Sequence, residues 1–158
     1  MKRFFVPLLI TLSTVGLQSC GVPLTNSKPT LNVTPYLSDR DRNVLNDITF
    51  EVQKVLDTID TLRSGGTLTF VNRLNYPGWK VEHKTGHVLF LKSHTFIAEK
   101  TFSIPRDCVK NVAGAELNVC HVKLVETLSK LAKAYGCDAK VEEIRYPLRE
   151  RVILSCPY

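Results

Sequence analysis

The stretch Ser38–Gly66, SDRDRNVLNDITFEVQKVLDTIDTLRSGG, carries the clearest periodicity in this 158-residue chain. Val44, Leu45, Ile48, Val52, Val55, Leu56, Ile59 and Leu62 recur at spacings of three and four, so they share one face of a helix. Arg40, Arg42, Asn46, Lys54 and Asp57 fall mostly outside that face. Ser38 is a capping residue, Asp39 and Asp41 complement the helix dipole in the first turn, and Gly65-Gly66 stops the helix. The polar face mixes acids and bases, whereas a membrane-lying helix would be rich in Lys and Arg. The apolar face therefore predicts a partner layer inside a globular core.

Outward from this helix the period changes to two. Thr67-Leu68-Thr69-Phe70-Val71 and Trp79-Lys80-Val81-Glu82-His83 alternate, with turn chemistry between them at Asn75-Tyr76-Pro77-Gly78. Lys84-Thr85-Gly86 predicts a tight connection into a strand at His87-Val88-Leu89-Phe90-Leu91. A further strand over about Thr95 to Ile104 places Phe96, Ala98, Phe102 and Ile104 on one face, and Pro105 ends it. Cys108 to Gly114 reads as a loop. A second helix is expected from about Leu117 to Tyr135, with Leu124, Val125, Leu128, Leu131, Ala132 and Tyr135 as its buried face and Gly136 as its stop. Lys140–Tyr146 and Arg151–Cys156 are closing strands joined through Pro147-Leu148-Arg149-Glu150. The order α-β-β-β(-β)-α-β-β predicts an α+β fold, an antiparallel sheet of five to six strands packed on two helices.

Composition narrows the class. A hydrophobic content of 44% and a charged content of 23% exclude wholesale disorder. No second long apolar run follows the first 17 residues, which excludes a multi-span helical membrane protein. No G-x-S-x-G, H-E-x-x-H, P-loop or G-x-G-x-x-G motif is present.

The N-terminus reads as an address. Lys2 and Arg3 precede an apolar run from Phe4 to Leu17 that is too short to span a bilayer and contains Pro7. The run ends in Leu17-Gln18-Ser19-Cys20-Gly21. Leu at −3, Ser at −1 and Cys at +1 resemble the lipobox of bacterial lipoproteins, with Gln18 standing where a small residue is commoner. That resemblance covers only the first 21 residues and names a processing route. It implies cleavage before Cys20, a diacylglyceryl group on its thiol and anchoring of an exported domain. Gly21 is not Asp, which by the sorting rule of enteric-type bacteria implies the periplasmic face of the outer membrane. The alternatives are ordinary signal-peptide cuts after Gly16 or Gly21, the second of which would discard Cys20. The expected division is a signal over 1–19, a lipidated Cys20 with a flexible, aperiodic tether punctuated by Pro23, Pro29 and Pro35 over 20–37, and one domain over 38–158. One acyl chain holds a protein to a bilayer only marginally and two hold it stably.

Setting Cys20 apart leaves Cys108, Cys120, Cys137 and Cys156, an even number that reads as a disulfide framework in an exported domain. Three connectivities are possible. Pairing of sequence neighbours, Cys108 with Cys120 and Cys137 with Cys156, is favoured. None of these cysteines forms a C-x-x-C pair, which argues against a zinc site with His121. The adjacent Cys120 and His121 make a poor catalytic pair, because sequence neighbours rarely point at one another.

Chemistry candidates are few. His83 and His87 flank the expected Lys84-Thr85-Gly86 turn, where they would be weak metal or acid–base candidates, with Glu82 and His94 close in sequence. Glu142 and Glu143 are adjacent, so on a strand they point to opposite faces and cannot act as a pair. Tyr76 and Trp79, in the turn Tyr76-Pro77-Gly78-Trp79, are the aromatic binding candidates. The formal charge of +6 falls by two, to +4, without Lys2 and Arg3, and the remaining cations are spread along the chain. In an exported protein this argues against nucleic acid as a partner.

The expected function is therefore that of a lipid-anchored envelope protein that acts by binding. It would be an accessory or structural component of an assembly in secretion or conjugation, envelope maintenance, or exclusion and immunity. Its expected partners are membrane lipid through the acylated Cys20 and a protein of the envelope. No cofactor, metal or catalytic residue is assigned. The alternatives are a small envelope-polymer hydrolase built on His83, Glu82 or His87, and an inhibitor or ligand-binding module.

Overall fold

The computed structural model describes residues 31–65 and 78–158. The expected signal segment, Cys20, the expected strand over 67–71 and Tyr76 lie outside the described residues. Helix α1 spans Asp39–Arg63. A capping box starts it: the Ser38 hydroxyl accepts from the Asp41 amide at 3.1 Å, and the Asp41 carboxylate accepts from the Ser38 amide at 3.0 Å. Gly65, with φ +101°, follows the helix end at Ser64. Leu45, Ile48, Val52, Val55, Leu56, Ile59 and Leu62 are buried along one side, each contributing about 1.5–3 kcal/mol of apolar burial. This is the face the periodicity marks.

The described strands are β1 (Lys80–Val88), β2 (Leu91–Ser103), β3 (Val109–Val112), β4 (Ala115–Asn118), β5 (Asp138–Ile144) and β6 (Arg149–Pro157). Helix α2 (Val119–Ala134) lies between β4 and β5. β1, β2, β6 and β5 form one antiparallel sheet in the order β1-β2-β6-β5, and β3 and β4 form a separate hairpin. The fold is α+β with both helices against one sheet face. Strand alternation decides which residues meet them. Phe96, Ala98 and Phe102 of β2 stand opposite Cys156, Leu154 and Glu150 of β6, and all six are buried.

Two local expectations change. Lys84-Thr85-Gly86 does not turn. It lies inside β1, whose register with β2 runs unbroken from Lys80↔Glu99 to Val88↔Leu91. A turn at 84–86 would forfeit that continuous pairing, so the hairpin closes at Leu89-Phe90. The segment 108–114 is not a simple loop either. Val109–Val112 pairs with Ala115–Asn118 through Ala113 and Gly114, at φ +53° and +83°. Positive φ at both central residues is the two-residue turn that matches strand twist.

Two disulfides are buried in the core, Cys108–Cys120 and Cys137–Cys156, in the pairing favoured from sequence proximity. The first packs beside the Asp41 cap. Asp41 is fully buried, and Lys110 Nζ lies 3.1 Å from its Oδ2. Cys108 Sγ is 3.5 Å from Asp41 Oδ1, a packing contact, because a disulfide sulfur has no proton to donate. At the opposite end Arg63 gathers three elements. Its guanidinium donates to the Pro157 carbonyl from Nε at 3.1 Å and from Nη2 at 2.8 Å, and also to the Tyr135 carbonyl just past α2. Upstream, Val33 and Leu37 are buried around a 3-10 turn at Thr34–Tyr36, so these residues belong to the packed domain. The tether expected over 20–37 is shortened by those last residues.

Candidate functional site

The first turn of α2 rests on the β5–β6 pair, and polar side chains converge there. Asn118 caps the helix, its Oδ1 accepting from the His121 amide at 3.1 Å. The same side chain donates from Nδ2 to Glu150 Oε2 at 3.3 Å. His121 Nδ1 lies 2.5 Å from Glu150 Oε1. Glu150 is fully buried, and its register partner across the sheet is Glu143. A ring nitrogen of His121 and carboxylate oxygens of Glu143 and Glu150 all lie within 4.8 Å of one another. Two carboxylates directly opposite on one sheet face repel. The imidazole sits where its proton offsets that repulsion. Its hydrogen bond to Glu150 raises the His121 pKa above 6.5 against the opposing effect of burial, and the charges of Glu150 and Glu143 add to the rise. Arg145 pairs with Glu143 and completes the charge balance.

The same Arg145 also lines a cavity of about 310 Å³. Arg106, Val109, Glu116, Arg145, Tyr146 and Leu148 line it together with Pro147. Tyr146, at φ +63°, is 94% exposed at its edge. The arrangement offers two guanidinium groups, a carboxylate and an aromatic ring around one concavity, which suits recognition of a polar group.

Among the described residues, His121, Glu143 and Glu150 are also the donor set best placed for a divalent cation. Such an ion would take the position of the His121 proton and part Nδ1 from Glu150, since ligands at about 2.0–2.2 Å from zinc stand further apart than a hydrogen-bonded pair. Catalysis through Cys120 is excluded by its disulfide, which leaves no thiol beside His121.

The other candidates fall elsewhere. His83 and His87 do not meet across a turn. Both lie on β1, four residues apart, about 13 Å along a strand. His83 Nδ1 instead lies 3.0 Å from the Tyr158 hydroxyl, and the His94 ring stacks on Tyr158 at 5.4 Å. Burial lowers the His83 pKa, and its Nε2 has no hydrogen-bond partner among the described residues. Glu82 is on the opposite face of β1 and is exposed. Trp79 is turned inward, its ring edge-on to Phe102 at 6.0 Å and its Nε1 donating to Glu51 at 3.3 Å. It packs against the core instead of presenting a free aromatic face.

The cluster at Asn118, His121, Glu143 and Glu150 was hidden in the sequence. Glu143 lies next to Glu142, and that adjacency places the two carboxylates on opposite faces. The useful pairing runs across the sheet, to a residue expected in a turn. The one available signal was Glu150 two residues before the β-branched pair Val152-Ile153, at the parity of Cys156. No known protein family, no curated protein and no solved structure matches the chain.

Proposed function

We propose that the chain is a lipid-anchored protein of the bacterial envelope that acts by binding. In this reading Cys20 carries the lipid, the outer membrane's periplasmic face is its site, and the domain serves as an accessory or structural part of an envelope assembly. The Leu17–Gly21 sequence and a domain stapled by two disulfides support export and anchoring. The observation that carries the binding role is Tyr146, 94% exposed at the rim of a cavity edged by Arg106 and Arg145. Exposed aromatic side chains beside arginines are the residue types that dominate interface energies.

The test has two parts. Intact-mass measurement of the envelope-extracted chain reports acylation of Cys20 and four fewer hydrogens for two disulfides. Crosslinked capture from intact envelopes is then compared between the wild type and Tyr146→Ala. A partner retained by the wild type and lost in the variant supports the reading. Identical capture profiles, or an unmodified Cys20, count against it.

A second reading, a small hydrolase of envelope polymer, draws on the His121–Glu150 pair, an imidazole oriented by a buried carboxylate. Polymer-degrading activity abolished by His121→Gln would favour it over the binding role.

A further inference from the structure

The β1–β2 hairpin ends in a tip that breaks two local rules at once. Leu89 is 88% exposed, Phe90 100% and Leu91 74%, so three large apolar side chains project together into solvent. Leu89 also holds φ +59°, in a two-residue turn that ordinarily takes Gly, Asn or Asp. Among the described residues nothing needs these side chains, since none of the three contributes to the core. Local rules broken without gain to the fold mark functional segments.

Charge around the tip has one sign. From Lys84 to Thr95 the sequence holds Lys84, His87, Lys92 and His94, and no acidic residue. His87 and Lys92 are register partners two or three residues behind the turn, roughly 7–10 Å back at about 3.3 Å per residue. Lys84 stands further back, on the other face of the ribbon.

We propose that this tip inserts into an anionic phospholipid bilayer, with Leu89, Phe90 and Leu91 in the acyl boundary and Lys92, His87 and Lys84 against the phosphates. The depth fits, because interfacial segments bury their apolar groups about 5–10 Å into the headgroup boundary. The area favours lipid over protein. Three side chains on a narrow turn fall far short of the about 800 Å² per partner that a stable protein interface buries. Insertion would fix the domain's orientation on the membrane. It does not depend on acylation of Cys20, although a tether would raise the local concentration of the tip.

The test uses the full chain on vesicles of phosphatidylcholine, with or without phosphatidylglycerol. Phe90→Trp places a reporter at the tip, and the wild type, with its own Trp79, supplies the background. Tyr36→Trp is the control on a 43% exposed residue of the 3-10 turn. On phosphatidylglycerol vesicles the Phe90→Trp emission is expected to shift to the blue and to be quenched by lipids brominated in the tail, while the Tyr36→Trp signal stays unquenched. Adding Lys92→Glu is expected to weaken insertion about fivefold or more. Because the readout is depth at one residue, it separates tip insertion from attachment through the N-terminus. Phe90→Trp quenched no more than Tyr36→Trp would overturn the proposal, whatever anchors the chain. So would equal quenching on vesicles without phosphatidylglycerol, or lipid-free self-association that Phe90→Asp abolishes.

Discussion

Glu143 and Glu150 face each other across β5 and β6, and His121 reaches over from α2 to lie within 4.8 Å of both carboxylates. A proton on His121, together with Arg145 on Glu143, offsets the repulsion of the two opposed carboxylates. The consequence is a dependence on pH. The His121 pKa is raised by folding above its ordinary 6.5, first through the Glu150 hydrogen bond. Its contribution to stability is therefore full below pH 6.5 and is lost as pH rises through the folded value. His83 acts in the opposite sense, because burial lowers its pKa and acid destabilises a neutral buried imidazole. The informative quantity is therefore the difference between wild type and His121→Gln. Urea midpoints between about pH 5.5 and 8.5 should show the wild-type advantage shrinking toward alkaline pH. A constant advantage would remove His121 as its source.

Asp41 predicts the acid limb. Burial would raise its pKa, but the Ser38 amide, the Lys110 ammonium and the Ser38 hydroxyl hold it below 3.8. Its contribution is present above 3.8 and is lost as pH falls through the folded value. Asp41→Asn should cost about 2 kcal/mol at neutral pH, because Lys110 loses its partner in a mostly buried site. The same substitution should cost little in strong acid, where the wild-type carboxyl is itself protonated. Acid-unfolding curves of the two proteins should converge at low pH, and parallel curves would contradict the assignment.

Trp79 and Tyr146 should separate stability from binding. Trp79→Ala removes an edge-on contact with Phe102 and a hydrogen bond to Glu51, so it should destabilise by about 2–3 kcal/mol. Tyr146→Ala should leave the unfolding midpoint unchanged, because the ring is exposed, and should weaken partner capture. Thermal melts read alongside capture decide the matter. The assignment fails if Trp79→Ala loses partner at unchanged stability.

The disulfides should differ from the rest of the core in how they stabilise. Each closes a short loop, with separations of 12 and 19 residues, and should contribute about 3 kcal/mol chiefly by restricting the unfolded chain. Paired Cys→Ala replacement at either bridge should lower the urea midpoint and speed unfolding less than it slows refolding. Unfolding accelerated by the full equilibrium loss would point to native contacts instead.

Much of the architecture was legible because it follows from periodicity. The helix over Asp39–Arg63, the buried parity of Phe96, Ala98 and Phe102, and the stop at Gly136 all follow from spacings of two or three to four and from terminal residues. Turn chemistry was the weaker guide. Lys84-Thr85-Gly86 has turn composition and lies mid-strand, while Leu89-Phe90 has none and makes the turn, because register along nine residue pairs outweighs local preference. The polar cluster was illegible for a related reason. Its two carboxylates are 22 and 29 residues from His121 and meet it only once β5 pairs with β6. The Tyr146 cavity likewise depends on elements far apart in sequence, with Arg106 before β3 and Arg145 after β5.

Arg63 carries a consequence for how the domain comes apart. Helix ends ordinarily fray, exchanging their amide hydrogens through small local openings. Here the last turn of α1 is held by a side chain that also grips the Tyr135 and Pro157 carbonyls, next to the Cys137–Cys156 bridge. The end of one helix, the exit of the other and the final residues of the sheet therefore form a single cooperative unit. Amides near Ser64, Cys137 and Tyr158 should exchange with one common protection factor, and in Arg63→Ala those near Ser64 should separate from the two that the Cys137–Cys156 bridge still ties together.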